Sequence, residues 1–205
     1  MVYPDFNNIE INSPLGVSPV GGDTKLIAKW AAKMPFNRAL DMGTGTGFIA
    51  IYLTSLNYRC DASDINPTAI AAAQQNARQN NCSIRFYQSD MYESIDNKYD
   101  LIIWNLPYGQ LKSPKLTKIL EFLKSLLPRE NNSLAKLWYR IISKQRLKNI
   151  HKFLEQSKAH SDSSTKILML VHINEIPLLH KCKFKQLDTY QDMILVTVSL
   201  SHKST

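Results

Sequence analysis

Apolar and polar positions along this chain switch repeatedly between a short-strand and a helical period. Short apolar runs bounded by turn residues predict strands at 38–42, 58–65, 84–88 and 99–104. Helical spacing between and before them predicts helices at 24–33, 48–56 and 66–80. The first of these helices turns Leu26, Ile27 and Trp30 inward and closes at Pro35. The alanine-rich third helix opens on Pro67, with Asn66 suited to cap it. The run YDLIIW at 99–104 has no polar face, as expected of a parallel strand buried on both sides. Further on, the pattern predicts helices at 114–127 and 133–158, a strand at 166–173 and a helical piece near 175–181. Two last strands, 184–190 and 193–200, would be joined by Gln191 and Asp192. Residues 1–20, with Pro4, Pro14 and Pro19, read as an irregular lead-in. Strands alternating with helices predict an α/β fold with a parallel sheet and helices on both faces.

A length of 205 residues, 44% of them hydrophobic, suits one domain spanning 1–205 that buries its own core. The net charge of +8 is unevenly spread. Residues 1–110 hold 8 basic and 10 acidic side chains, whereas 111–158 hold 12 basic and 3 acidic ones. The basic character thus belongs to one helical insertion at 111–158, which points to a local anionic partner. No apolar run approaches the roughly 20 residues that span a bilayer, and MVYPDFNNIE has no signal-peptide pattern. Cys60, Cys82 and Cys182 form no CxxC pair, so neither a disulfide framework nor a zinc site is expected and a reducing, cytoplasmic setting fits. The histidines show no metal-binding spacing. The expected chain therefore uses no membrane and no metal.

The densest local motif is Asp41-Met42-Gly43-Thr44-Gly45-Thr46-Gly47, between a predicted strand and helix. Glycines there permit positive φ and close approach of a ligand, and the following helix start offers unpaired N–H groups. Ligands of open α/β sheets bind at the carboxyl ends of strands, where this loop lies. Gly45 to Ala50 fits a dinucleotide fingerprint, GxGxxA, with Asp64 19 residues after Gly45. That spacing leaves a nicotinamide-dependent oxidoreductase open. Against it, an acid before the first glycine would repel a pyrophosphate and attract a cationic amino acid tail. Asp64 and Asp90 end the next two strands, followed by Ile65 and Met91. A carboxylate at the Asp64 position can accept both hydroxyls of a ribose. Asn105-Leu106-Pro107-Tyr108 closes the fourth strand.

DxGxGxG followed by these strand-end acids resembles class I S-adenosylmethionine-dependent methyltransferases. The resemblance covers about residues 20–200 and implies a Rossmann-like fold: a seven-stranded, mostly parallel sheet with an antiparallel terminal strand. It implies that Asp41, Gly43, Thr44, Gly45, Thr46, Gly47, Asp64, Ile65, Asp90, Met91 and Asn105 bind S-adenosyl-L-methionine. Asp41 would face the methionine amine and Asp90 the adenine amine, beside the Met91 N–H. NLPY resembles the [NDS]-P-P-[YF] motif of enzymes that methylate planar nitrogens, on glutamine amides or adenine amines. Such a nitrogen is a weak nucleophile and must be held in line with its hydrogens occupied. The resemblance assigns Asn105, Leu106, Pro107 and Tyr108 to that task. The Asn105 oxygen and the Leu106 carbonyl would accept the two N–H groups, Pro107 would stiffen the turn and Tyr108 would stack on the acceptor. A dehydrogenase has no use for this motif.

Within the class, Pro19 followed by Asp23-Thr24 and a helix is similar to the HemK-type protein-glutamine methyltransferases, with one extra residue in the spacing. NLPY in place of NPPY is the form of ribosomal RNA adenine dimethyltransferases, and Lys112, Lys115, Lys118 and Lys124 follow it. The expected acceptor is protein glutamine, with RNA or DNA adenine as the alternative. In the predicted helix at 133–158, Lys136, Arg140, Lys144, Lys148 and Lys152 recur every four residues. This ridge is either a solvated face or a contact for RNA phosphates. A noncatalytic nucleic-acid-binding module on the same fold also stays open.

Overall fold

One sheet organises the molecule. Its strands are β1 (Arg38–Met42), β2 (Arg59–Asp64), β3 (Phe86–Gln88), β4 (Leu101–Trp104), β5 (Lys166–His172), β6 (Lys183–Tyr190) and β7 (Met193–Ser199). The computed structural model describes residues 6–106, 146–173, 175, 176, 179 and 183–200. The strands lie in the order β3-β2-β1-β4-β5-β7-β6. Strands β1 to β5 pair parallel, and β7 runs antiparallel to both β5 and β6. This is the seven-stranded, mostly parallel sheet that the resemblance implies, and its parallel part is what the alternation of strands and helices predicts. The crossover between β3 and β4 sends the chain back past β1, so β1 and β4 become neighbours at the switch point.

Helices α1 (Gly22–Ala31), α2 (Phe48–Ser55) and α3 (Pro67–Gln79) pack in sequence, α1 on α2 and α2 on α3. Ile27, Ala28 and Ala31 of α1 join Phe48, Ile49, Tyr52 and Leu53 of α2 over Leu101, Ile103, Leu168, Leu170 and Leu195 of the sheet. Leu26 and Trp30 are half-buried at the rim of this core. Asn66 caps α3 by accepting from the Thr68 N–H, with Pro67 in the first turn. Helix α1 begins earlier than its apolar spacing implies. Gly22 lets it start against Tyr190, whose ring occupies the space a Cβ would need. The Trp30 indole donates to Asp188 at 2.8 Å, so β6 holds α1 at both ends.

Element edges differ from the pattern for local reasons. Tyr58 still closes the turn after α2, donating to the Leu53 carbonyl, so β2 begins at Arg59. Ahead of β4, the Tyr99 N–H bonds the His160 carbonyl, and the Asp100 carboxylate accepts from the N–H groups of Asn37 and Arg38. Those two residues are therefore engaged outside the strand. The lead-in is more ordered than its prolines suggest. It opens with a 3-10 turn, Phe6–Asn8, and Phe6 packs its ring on Phe48 and Tyr52 at 5.2 and 4.7 Å.

At the amino end of the sheet Asp61 is paired with Arg38 at 2.6 Å and accepts from the Tyr99 hydroxyl at 2.9 Å. The chain divides into two compact units, Met1–Leu106 with Gln156–Thr205, and Pro107–Glu155. The helix expected at 114–127 and the first part of that expected at 133–158 lie outside the described residues. Residues 146–157 are helical, followed by a 3-10 turn at Lys158–His160.

Candidate functional site

The glycine loop leaves β1 at its carboxyl end and turns directly into α2. Gly43, Gly45 and Gly47 all have positive φ, at 67°, 56° and 84°. Two of them show why glycine is needed beyond the turn itself. A Cβ on Gly47 would sit 2.9 Å from the Ala73 Cβ, so this glycine lets the loop lie flat on α3. A Cβ on Gly45 would meet nothing within 4 Å among the described residues, so the loop is open there on that side. A left-handed glycine beside open space suits a ligand that approaches the backbone closely.

Asp41 is 1% exposed beneath this loop. Its Oδ2 accepts from the Thr44 hydroxyl at 2.6 Å. Burial pushes its carboxyl up to about 7 from 3.8; the Thr44 hydroxyl and the Ala50 N–H pull the other way, and Asp64 adds repulsion. Among the described residues it has no cationic partner. Asp64 braces the loop from β2: its Oδ2 accepts from the Gly45 N–H at 2.9 Å, and its Oδ1 from the Asn66 N–H at 2.9 Å. The second bond links Asp64 to the residue that caps α3. Ile65 beside it is 63% exposed. Asp90 follows β3, and Met91 takes a positive φ of 54°. Register explains why these positions gather. Met42 pairs with Ser63 on one side and with Trp104 on the other, so Gly43, Asp64 and Asn105 leave three adjacent strands at one level.

Asn105 has a partner that sequence spacing alone did not identify. Its Nδ2 donates to Asp23 Oδ2 and to Thr24 Oγ1, each at 3.1 Å. A carboxylate can only accept, so it fixes which way the amide faces and turns Oδ1 away. The Asp-Thr pair after Pro19 was a recognisable signal, but not what it contacts. Trp104 lies below the loop, its indole nitrogen 3.6 Å from where a Gly43 Cβ would be. Leu106 is buried. Pro107, Tyr108, Lys136, Arg140 and Lys144 lie outside the described residues. Lys148 and Lys152 are exposed on the helix at 146–157. Among the described residues no cluster of three or more His, Cys, Asp or Glu could hold a metal, and no helix is long and apolar enough to cross a membrane.

The chain resembles known proteins over this region. It is 36% identical over 87 residues to a putative protein N5-glutamine methyltransferase of Methanocaldococcus jannaschii, covering 42% of this chain and 44% of that one. It is 39% identical over 103 residues to the tRNA1(Val) (adenine(37)-N6)-methyltransferase of Parabacteroides distasonis, covering 46% and 44%. In both cases the match spans less than half of the relative. The ribosomal protein L11 methylase of Lactobacillus delbrueckii subsp. bulgaricus superposes with a TM-score of 0.62 at 17% identity, covering 94% of this chain and 86% of that one. That likeness supports the fold alone. Residues 20–166 match the family model of the methyltransferase small domain, a span that includes the glycine loop, the strand-end acids and Asn105, and the chain belongs to that family.

Proposed function

We propose that this chain transfers a methyl group from S-adenosylmethionine to a planar nitrogen of a macromolecule. The observation that carries the proposal is Asn105, whose amide is fixed by Asp23 and Thr24 so that its oxygen is left to accept, on the strand beside the Asp41 loop. The site suits the cofactor: among the described residues, a buried carboxylate without a cation lies under a glycine loop with free space at Gly45. S-adenosylmethionine supplies a methyl group on a sulfonium whose leaving group is a neutral thioether.

The chain's own residues then have distinct tasks. Asp41, directly or through water, receives the methionine ammonium. Asp64, already anchored through the Gly45 N–H, turns its remaining lone pairs to the ribose hydroxyls. Ile65, Asp90 and Met91 form the adenine end. Asn105 Oδ1 and the Leu106 carbonyl accept the two acceptor N–H groups, with Pro107 and Tyr108 completing the clamp. With the cofactor bound, the acceptor nitrogen held by Asn105 and Leu106 would take up the methyl group along its lone pair and shed one proton to water, the neutral thioether being the leaving group. Neither a nucleophilic side chain nor a metal is needed, because the work is orientation and desolvation.

A protein glutamine amide is the first reading of the acceptor, supported by the archaeal relative and by the Asp23-Thr24 pair. An adenine amine is the second, supported by the tRNA-modifying relative and by the basic segment at 111–158. In the second reading Lys136, Arg140, Lys144, Lys148 and Lys152 would meet phosphates. The test is transfer of tritiated methyl groups into cell extract, followed by separate protease and nuclease digestion. Label released by protease supports glutamine, and label released by nuclease supports adenine. No label in either polymer, with an active positive control, would sink the proposal.

A further inference from the structure

Helix α3 carries Asn76 in its last turn and is capped at its C-terminus by Asn80, and both asparagines clamp the lead-in. Asn80 accepts from the Glu10 N–H at 3.0 Å and donates to the Glu10 carbonyl at 2.8 Å. Asn76 does the same to Asn12, at 3.0 Å in each direction. Each side-chain amide thus pairs with a backbone residue as a neighbouring strand would, and the lead-in is held as an extended segment along α3.

The two clamps differ in one bond. Asn76 is fully buried, and its second amide hydrogen goes to the Thr46 carbonyl at 2.8 Å. Thr46 belongs to the glycine loop. Its carbonyl opens the peptide unit whose other end, the Gly47 N–H, donates to the Thr44 carbonyl at 2.9 Å. Asn76 and Thr44 therefore hold that peptide at both ends. Ala73, three residues before Asn76 on the same helix face, is the residue on which Gly47 rests. The loop lies on a platform of one small side chain and one amide. The second Asn80 donor bond goes back into the helix, to the Asn76 carbonyl at 2.7 Å, and does not reach the loop.

We infer that Asn76 is a positioning residue for the cofactor loop and ties the loop's geometry to the lead-in through a single side chain. The inference rests on the reading that this loop holds S-adenosylmethionine. A buried carbonyl that loses this donor is left with weaker pairing unless it moves, and under-pairing in the interior is costly. Displacement of the Thr46–Gly47 peptide would shift the backbone around Gly45 and Thr46, where the ligand must approach. The strand-end acids and Asn105 stand on other elements and would keep their places.

Asn80 makes the test internal. Both asparagines, one in the last turn of α3 and one capping it, clamp the lead-in, but of the two only Asn76 bonds the loop. Calorimetry with S-adenosylmethionine should give about a tenfold weaker dissociation constant for Asn76→Ala and less than a twofold change for Asn80→Ala. In methyl-transfer assays the Asn76 variant should raise KM for the cofactor while KM for the acceptor stays within twofold. Equal losses in the two variants would reduce Asn76 to a scaffold clamp and overturn the inference, as would unchanged cofactor affinity in a folded Asn76→Ala. Should that variant fail to fold, nuclear magnetic resonance of the wild-type protein decides instead. The Asn76 side-chain amide signals should shift on adding S-adenosylmethionine while those of Asn80 do not, and a static Asn76 signal overturns the inference. Wild-type protein that binds no S-adenosylmethionine refutes the proposed function itself, a separate outcome from these.

Discussion

Two acids buried in neighbouring strands have opposite surroundings. Asp61, toward the amino end of the sheet, has the Arg38 guanidinium at 2.6 Å and the Tyr99 hydroxyl at 2.9 Å. Asp41, at the carboxyl end of the next strand, has a threonine hydroxyl and one backbone N–H, with Asp64 nearby to repel it. Among the described residues, then, one charge has a cationic partner and the other has none. A buried carboxylate without a cation opposes folding, and such groups concentrate where a ligand is to be bound. The comparison separates an acid paired within the fold from an acid at the candidate site.

The most drastic way to probe the candidate site is Asn105→Ala. Methyl transfer should fall about 10²–10³-fold, with cofactor affinity unchanged by calorimetry. Loss of cofactor binding instead would make Asn105 structural. Asp23→Asn, which frees the Asn105 amide to flip, should lower kcat by about tenfold and leave the cofactor dissociation constant alone.

Exchanging the two acids for amides should produce opposite phenotypes. Asp41→Asn should weaken cofactor binding by about tenfold or more without lowering the urea midpoint, because a buried charge disappears. Asp61→Asn should cost about 2–3 kcal/mol of stability, as Arg38 loses its ion pair, and should spare cofactor affinity in the folded fraction. If both variants lose stability alike, the distinction between the two acids fails.

A gentler probe is pH. Asp41 titrates near 7 in the folded chain, so it is ionised above that value and protonated below it. Cofactor affinity should therefore drop roughly tenfold between about pH 7.5 and pH 6, with uptake of the cofactor releasing a proton, and Asp41→Asn should flatten the dependence. Stability of the cofactor-free protein runs the other way. The folded state keeps a proton that the unfolded chain gives up near 3.8, so this contribution is complete below about pH 4 and lost as pH rises through about 7. Urea titrations of wild type and Asp41→Asn across that window would show it. The smallest effect expected is for Lys148→Glu. Under the adenine reading it should weaken RNA binding several-fold, most strongly at low salt. Unchanged RNA binding would favour a solvated ridge.

Much of the candidate site's layout was legible in the sequence because its determinants are local. Alternating glycines, an acid before them and an acid closing each following strand are read from spacing within a few residues. Each acid's place follows once the strands are parallel and in register. The amino end was illegible for the same reason. Nothing near Asp61 announces Arg38 or Tyr99, which lie 23 and 38 residues away. The lead-in has no regular element from residue 9 to 20, and what local sequence did not announce is its anchoring by Asn76 and Asn80, 64 and 70 residues later.

The sequence by itself determined the element types, the parallel sheet, the glycine loop and the strand-end acids, because backbone preference and hydrophobic period act over short stretches. Only the tertiary structure decided how those parts were partnered. Asn105 meets Asp23 across 82 positions and Asn76 meets Thr46 across 30 because strand order and helix packing bring them together. A hydrogen bond depends on positions to within a few tenths of an ångström, and that precision is set by the packed core rather than by any local run of residues.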